Sequence, residues 1–211
     1  MKPATTILYY VNDPMCSWCW GFRPVLLQLK QRLPGDIQLV SLVGGLAPDS
    51  EQPMAAGLQQ DIQGAWRRIQ QVIPGTRFNF DFWTRNTPRR STYPACRAVI
   101  AARELAGLED QMTYGIQQAY YLQARNPSDL DTLSEVALSI GLDAEAFNER
   151  MQSEQIHTLL DQELDLVRSI HVNSYPSLVL KMNGQLYPLK LDYLSADHIL
   201  DEIQHLRSSH A

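Results

Sequence analysis

The chain has 211 residues, 45% hydrophobic and 19% charged, with 18 Lys and Arg against 23 Asp and Glu for a formal net charge of −5. That balance excludes a disordered polyelectrolyte, and a chain of this size buries a core without staples. The charges are dispersed and form no basic tract, which argues against a nucleic-acid partner.

Met1-Lys2-Pro3-Ala4-Thr5-Thr6 carries one basic residue and no apolar stretch, so it does not read as a signal peptide. No apolar run reaches the roughly 18 residues of a membrane span. Taking Met1 as the natural start, the expected location is the cytoplasm. Ile7 to Val11 predicts a strand, and Asn12-Asp13-Pro14 a turn. A helix is expected from about Cys16 to Arg32, kinked at Pro24 and ended by Pro34-Gly35. Ile37 to Val43 is a second strand, closed by Gly44-Gly45.

The middle of the chain is helical. Met54, Leu58, Ile62, Trp66, Ile69 and Ile73 recur at helical spacing until Pro74-Gly75, as on an amphipathic helix. Phe78, Phe80 and Phe82 alternate over too short a stretch for a strand and predict an aromatic turn packed on the core. Further helices are expected near 92–106, 110–124, 129–140, 143–151 and 154–168. Ser128 with Asp131 resembles a capping box. Strands return at Ser177 to Met182 and Gln185 to Leu189 around Asn183-Gly184, a type I′ hairpin signal. Ser195 is a candidate cap for a last helix with Ile199, Ile203 and Leu206 on its apolar face. The expected fold is α/β. A β-α-β start and a β-β-α end form one domain (1–48 and 170–211), and a large α-helical domain (49–169) is inserted between them.

Cys16 and Cys19 form a C-x-x-C at the start of the helix that follows the first strand. Free N–H groups and the positive end of the helix dipole stabilise a thiolate there. The ordinary thiol value near 8.5 falls to about 3.5–7.5 in such motifs. Cys16, nearer the helix end, is the expected exposed nucleophile, and Cys19, one turn in, the shielded resolving thiol. Three cysteines do not make a disulfide framework. A structural zinc site usually takes four ligands, often as two such pairs. Here the second pair is missing, and only Cys96 with one of His157, His171, His198, His205 or His210 is left to complete a set. The redox reading therefore outweighs the metal reading, and no metal is expected. Tyr175-Pro176 stands directly before the third strand, where proline is sterically ordinary.

The run Tyr9-Tyr10-Val11-Asn12-Asp13-Pro14-Met15-Cys16-Ser17-Trp18-Cys19-Trp20-Gly21-Phe22 resembles the active-site signature of DsbA-family thiol–disulfide oxidoreductases of the thioredoxin superfamily. It is most similar to the cytoplasmic branch predicted to be disulfide isomerases, related to FrnE-type proteins. The order of elements resembles that family too. The resemblance implies a thioredoxin-like sheet with a helical insertion covering the groove. It also implies a cis-proline at Pro176 facing the cysteines, with Tyr175 offering its backbone to substrate. The family often has glycine two residues before that proline, where this chain has Ser174.

The start of the insertion helix is matched by Ser91-Thr92-Tyr93-Pro94-Ala95-Cys96-Arg97, with Thr92 as N-cap. Cys96 is read as a buried helix residue in preference to a redox partner. Trp18 is the expected exposed platform for substrate and Trp20 a core residue. Asp13 is read as an Asx-turn residue, alternatively as a proton carrier, and Ser17 as a supporting residue between the cysteines. The expected activity is dithiol–disulfide exchange on protein or small-molecule thiols. No cofactor is needed beyond a thiol reservoir such as glutathione or thioredoxin. The alternatives are a kappa-type glutathione-dependent transferase or isomerase, and a redox-sensitive peptide-binding module.

Overall fold

The computed structural model describes residues 6–209; the expectations placed on Met1 to Thr5 and on His210 lie outside the described residues. Strand β1 (Thr6–Asn12) is followed by α1 (Ser17–Arg32) and β2 (Ile37–Val43). Seven helices follow: α2 (Ala56–Val72), α3 (Phe82–Arg85), α4 (Tyr93–Ala106), α5 (Glu109–Tyr121), α6 (Leu130–Ser139), α7 (Ala144–Gln152) and α8 (Glu154–Ser169). The chain closes with β3 (Ser177–Met182), β4 (Gln185–Leu189) and α9 (Asp197–Ser209).

The sheet order is β2-β1-β3-β4. β1 runs parallel to β2, with Tyr9 opposite Val40, and antiparallel to β3, with Tyr9 opposite Val179. A parallel pair needs a crossover, and α1 supplies it. Alternation along β1 then sorts the two faces. Leu8 and Tyr10 pack with Phe22, Val25 and Leu29 of α1 and with Ile199 and Ile203 of α9. Tyr9 and Val11 pack with Val167 and Ile170 at the end of α8. β1 is thus covered on both faces, and its carboxyl end delivers Asn12 and Asp13 into the interior.

α4 is the hub of the helical segment. Its run Ala95 to Ala102 is buried throughout, packed against Met112, Ile116, Leu133, Phe147 and Leu160. A second cluster gathers aromatics around Trp66, which stacks on Phe78 at 4.8 Å and meets Phe80, Phe82, Tyr120 and Tyr121. The alternating phenylalanines are therefore core contacts, with Phe82 opening α3.

The first helix keeps its expected span, beginning at Ser17 with Cys16 as its extended N-cap. Other local expectations need correction. Met54 and Ile73 lie just outside α2 yet are buried, because the flanking chain folds back on the same core. Ser128 does not cap α6: its hydroxyl donates to Ser91 O at 2.7 Å, and Asp129 takes the cap position. Ser195 does accept from Asp197 N at 3.0 Å at the entry to α9. Asn183 and Gly184 both have positive φ (52° and 78°), as a type I′ turn requires. No helix among the described residues is long and apolar enough to cross a membrane.

Candidate functional site

The site forms where β1, α1, α4 and the loop before β3 meet. Asp13, fully buried, is its junction. One carboxylate oxygen, Oδ1, accepts from Met15 N at 2.8 Å, the Asx turn read from the sequence. The other, Oδ2, accepts from Leu46 N and from the Thr92 hydroxyl, both at 2.7 Å, and lies 3.7 Å from Cys96 Sγ. Thr92 holds the N-cap position of α4, but its hydroxyl is engaged by Asp13 and by Ala47 N instead of by its own helix. Burial pushes the Asp13 carboxyl up, opposed by the hydrogen bonds from Leu46, Thr92, Met15 and Cys96.

Cys16 N donates to Asp13 O at 3.0 Å, which fixes the turn into α1. The expected exposed nucleophile is largely covered: Cys16 retains 7% of its surface and Cys19 none. Cover comes from the loop before β3, where the Cys16 thiol donates to Tyr175 O at 3.4 Å. The Tyr175–Pro176 peptide is cis. The Tyr175 hydroxyl donates to Gly44 O, and burial pushes its own value up to about 12. A Cβ on Gly44 would stand 2.1 Å from Tyr175 Cε1, so only glycine lets the ring lie against this backbone. The residue at the family's frequent glycine position, Ser174, is exposed, and its carbonyl accepts from the Ser177 hydroxyl at 2.7 Å.

The two thiols are held in different states. The Cys16 thiol is pushed down, chiefly by a hydrogen bond from the Cys19 thiol, against burial and with help from the N–H groups of Cys19 and Trp18. The Cys19 thiol is pushed well up by burial and by its neighbour Cys16. Cys96 is also pushed well up, by burial and by the Asp13 charge. All three are free thiols. A Cys16 thiolate cannot donate, so ionisation releases Tyr175 O for another donor.

A cleft of about 160 Å³ opens beside Cys16, walled by Trp18, Met54, Ile62, Tyr120 and Arg90 among others. Trp18 meets Tyr193 edge-on at 5.3 Å. The expected split between an exposed Trp18 and a core Trp20 does not hold, because both are half-buried. Trp20 instead stacks between Tyr114 and Tyr121 and donates to Arg77 O at 3.1 Å, outside the cleft. Ser17, buried behind Cys16, also lines the cleft. Sequence reasoning did not single out Arg90 or Tyr120, and it read Gly44 only as the close of the second strand. The adjacent cations Arg89-Arg90 were the one available signal. Arg89 is consumed by Asp129 and Ser128 O, whereas Arg90 has no ion-pair partner among the described residues. No group of three or more His, Cys, Asp or Glu able to hold a metal occurs among the described residues.

A family model described as thioredoxin matches residues 9–191. A solved protein from Nitrosomonas europaea, provisionally described as a protein disulfide isomerase, superposes with a TM-score of 0.85 at 22% identity, covering 99% of this chain and all of that one. The cytosolic disulfide reductase DsbM from Pseudomonas aeruginosa superposes with a TM-score of 0.75 at 27% identity, covering 97% of this chain and 100% of that one. The same protein solved with GSH gives 0.73 at 28%, covering 95% and 99%. Among curated proteins, the ClpXP adapter protein SpxH of Halalkalibacterium halodurans is 24% identical over 178 residues, 82% of this chain and 57% of that one. Its Bacillus subtilis namesake is 25% identical over 174 residues, 81% and 56%. The chain thus spans little more than half the length of these curated relatives.

Proposed function

The chain belongs to the thioredoxin family, and on that premise we propose that it is a thiol–disulfide oxidoreductase working through Cys16 and Cys19. The observation that carries this reading is the placing of Cys16 at the N-cap of α1, where the Cys19 thiol and two backbone N–H groups favour its thiolate. Cys16 thiolate attacks a substrate disulfide and forms a mixed disulfide. Cys19 then attacks Cys16, closing the intramolecular disulfide and releasing the reduced substrate. Reversal of the same steps oxidises a substrate or, with a second exchange, isomerises it. No cofactor enters beyond a thiol reservoir.

The substrate side is proposed from the cleft. Its apolar wall at Trp18, Met54 and Ile62 suits an extended peptide or a small thiol, and Arg90 suits a carboxylate on it. Tyr175 O and Pro176 form the ledge opposite Cys16. A small carboxylated thiol such as glutathione meets both demands, and the Pseudomonas relative solved with GSH supports the choice. That relative is called a cytosolic disulfide reductase, which supports a cytoplasmic, reducing role here. We also propose the division into a discontinuous sheet domain (1–48 and 170–211) and a helical domain (49–169). A kappa-type transferase is not favoured, because such chemistry leaves the Cys19 thiol without a use.

Mixing reduced protein with glutathione disulfide tests the proposal. Each equivalent consumed is expected to convert one Cys16–Cys19 dithiol to a disulfide. Glutathione binding with no change in protein thiols would contradict it.

A further inference from the structure

Trp20 lies outside the Cys16 cleft and lines a separate groove of about 510 Å³. The walls are Trp20, Arg23, Pro24 and Leu27 of α1, Pro74 in the turn after α2, and Tyr114 of α5. No residue is common to the groove and the cleft. The α1 residues recur at three- and four-residue spacing and so share one stripe of the helix. The opposite stripe, with Phe22, Val25 and Leu29, is buried against the sheet. α1 is therefore apolar on two sides, and only one of them is fully covered.

Leu27 and Tyr114 are left 45% and 38% exposed. Single exposed apolar residues are ordinary, but a shared apolar patch marks a binding surface. A concavity of this size falls within the roughly 300–1,000 Å³ of small-ligand sites. One charge enters the groove. The Arg23 guanidinium, half-buried, lies 4.0 Å from the centre of the Tyr114 ring. It has no hydrogen-bond or ion-pair partner among the described residues. Asp110, whose charge favours the cation, is paired with Lys30. The N–H donors of Arg23 are thus free to take an acceptor, and a carboxylate matches a guanidinium through two parallel bonds. Eight residues line the groove, against about 20–30 on each side of a stable protein interface. A small molecule therefore fits it better than a docked protein.

We propose that this groove is a second ligand site, for a small carboxylic acid with an aromatic or branched aliphatic body. The carboxylate pairs with Arg23, and the body lies against Trp20, Leu27 and Tyr114. A neutral ligand of the same shape keeps the apolar contacts but leaves the guanidinium unpaired, and a cationic one is repelled by it. The ligand rests on the first three turns of α1, where Trp20 N donates to Cys16 O at 3.1 Å, so Trp20 reports its arrival. The proposal holds whether or not Cys16 and Cys19 exchange disulfides.

Titration of the nitrogen-15-labelled full chain with 4-phenylbutyrate, 4-phenylbutanol and 4-phenylbutylamine tests it by NMR. The indole N–H signal of Trp20, assigned by its loss in Trp20→Phe, is expected to shift saturably with the acid. The alcohol is expected to bind about tenfold more weakly, and the amine more weakly still. Arg23→Gln is expected to bring the acid down to the affinity of the alcohol and to leave the alcohol unchanged. Leu27→Glu, at an exposed position, is expected to abolish binding of both with the rest of the spectrum retained. Equal binding of acid and alcohol by the wild-type protein overturns the proposal, as does the absence of a saturable shift at Trp20. Displacement of the acid by glutathione overturns it too, because the probe would then occupy the Cys16 cleft. A peptide ending in phenylalanine that binds where 4-phenylbutyrate does not would assign the groove to a polypeptide and equally overturn it.

Discussion

Two helices begin beside Asp13, and each carries a buried cysteine near its start. Cys16 is the N-cap of α1, and Cys96 sits four positions into α4. Burial pushes both thiols up, but only at Cys16 is it overcome. There the Cys19 thiol and two free N–H groups converge on the sulfur. At Cys96 the backbone N–H is bonded to Thr92 O, and the sulfur faces the Asp13 carboxylate. The contrast shows that a cysteine near a helix start is not thereby a nucleophile. The benefit of the helix end fades within its first turn, and a neighbouring carboxylate reverses what remains.

The largest expected break of this contrast comes from removing the thiols in turn. Cys16→Ser is expected to abolish disulfide exchange. Cys19→Ser is expected to stop turnover and accumulate a mixed disulfide on Cys16, detectable as the added mass of the substrate thiol. Accumulation on Cys96 instead would reverse the assignment.

Next in size is Gly44→Ala. The new methyl group meets the Tyr175 ring, so the ring and the carbonyl facing Cys16 have to move. Loss of the exchange rate by about tenfold is expected, on the scale at which small misplacements reduce catalysis, while the reactivity of Cys16 toward a small alkylating agent is retained. An unchanged exchange rate would show that the Tyr175 ledge is not used.

Asp13→Asn sharpens the comparison because the same carboxylate opposes the ionisation of both thiols. The Cys16 thiol is expected to fall further, read as thiolate absorbance persisting to lower pH. The variant also tests stability. A carboxyl raised by burial stabilises the fold most when protonated, and that contribution fades as pH rises through its folded-state value. Wild type should therefore lose stability relative to the Asp13→Asn variant as pH is raised from acid toward neutral, measured by urea unfolding. A constant difference across that range would mean Asp13 is not raised.

The smallest effect is expected at Cys96→Ala. A stability loss of about 1 kcal/mol with near-wild-type exchange is expected. A large loss of exchange would make Cys96 part of the redox chemistry.

Much of this was legible in the chain. Short apolar runs rich in β-formers marked β1, β2 and β3, Asn183-Gly184 marked the hairpin, and the C-x-x-C after a strand marked the site. The local half of Asp13, its bond to Met15 N, followed from turn chemistry. Its other half was hidden, because Leu46 and Thr92 lie 33 and 79 residues away and no spacing rule reports such contacts. The approach of Tyr175, 159 residues on, came from the family resemblance and from no spacing rule, and the burial of Cys16 that it brings was missed. Ser128 misled because a capping pattern is local, whereas its hydroxyl is claimed by Ser91 O from another part of the fold. Trp18 and Trp20 could not be told apart by helical phase alone, because the aromatics that half-bury each come from α5 and from the turn before α9.

The most direct test of the central claim is a pH series of alkylation of the reduced wild-type protein, with all three cysteines followed by peptide mass spectrometry. Cys16 is expected to label first, with a midpoint below the ordinary thiol value of about 8.5, while Cys19 and Cys96 stay unlabelled until the protein unfolds. Labelling of Cys19 or Cys96 ahead of Cys16 would contradict the account.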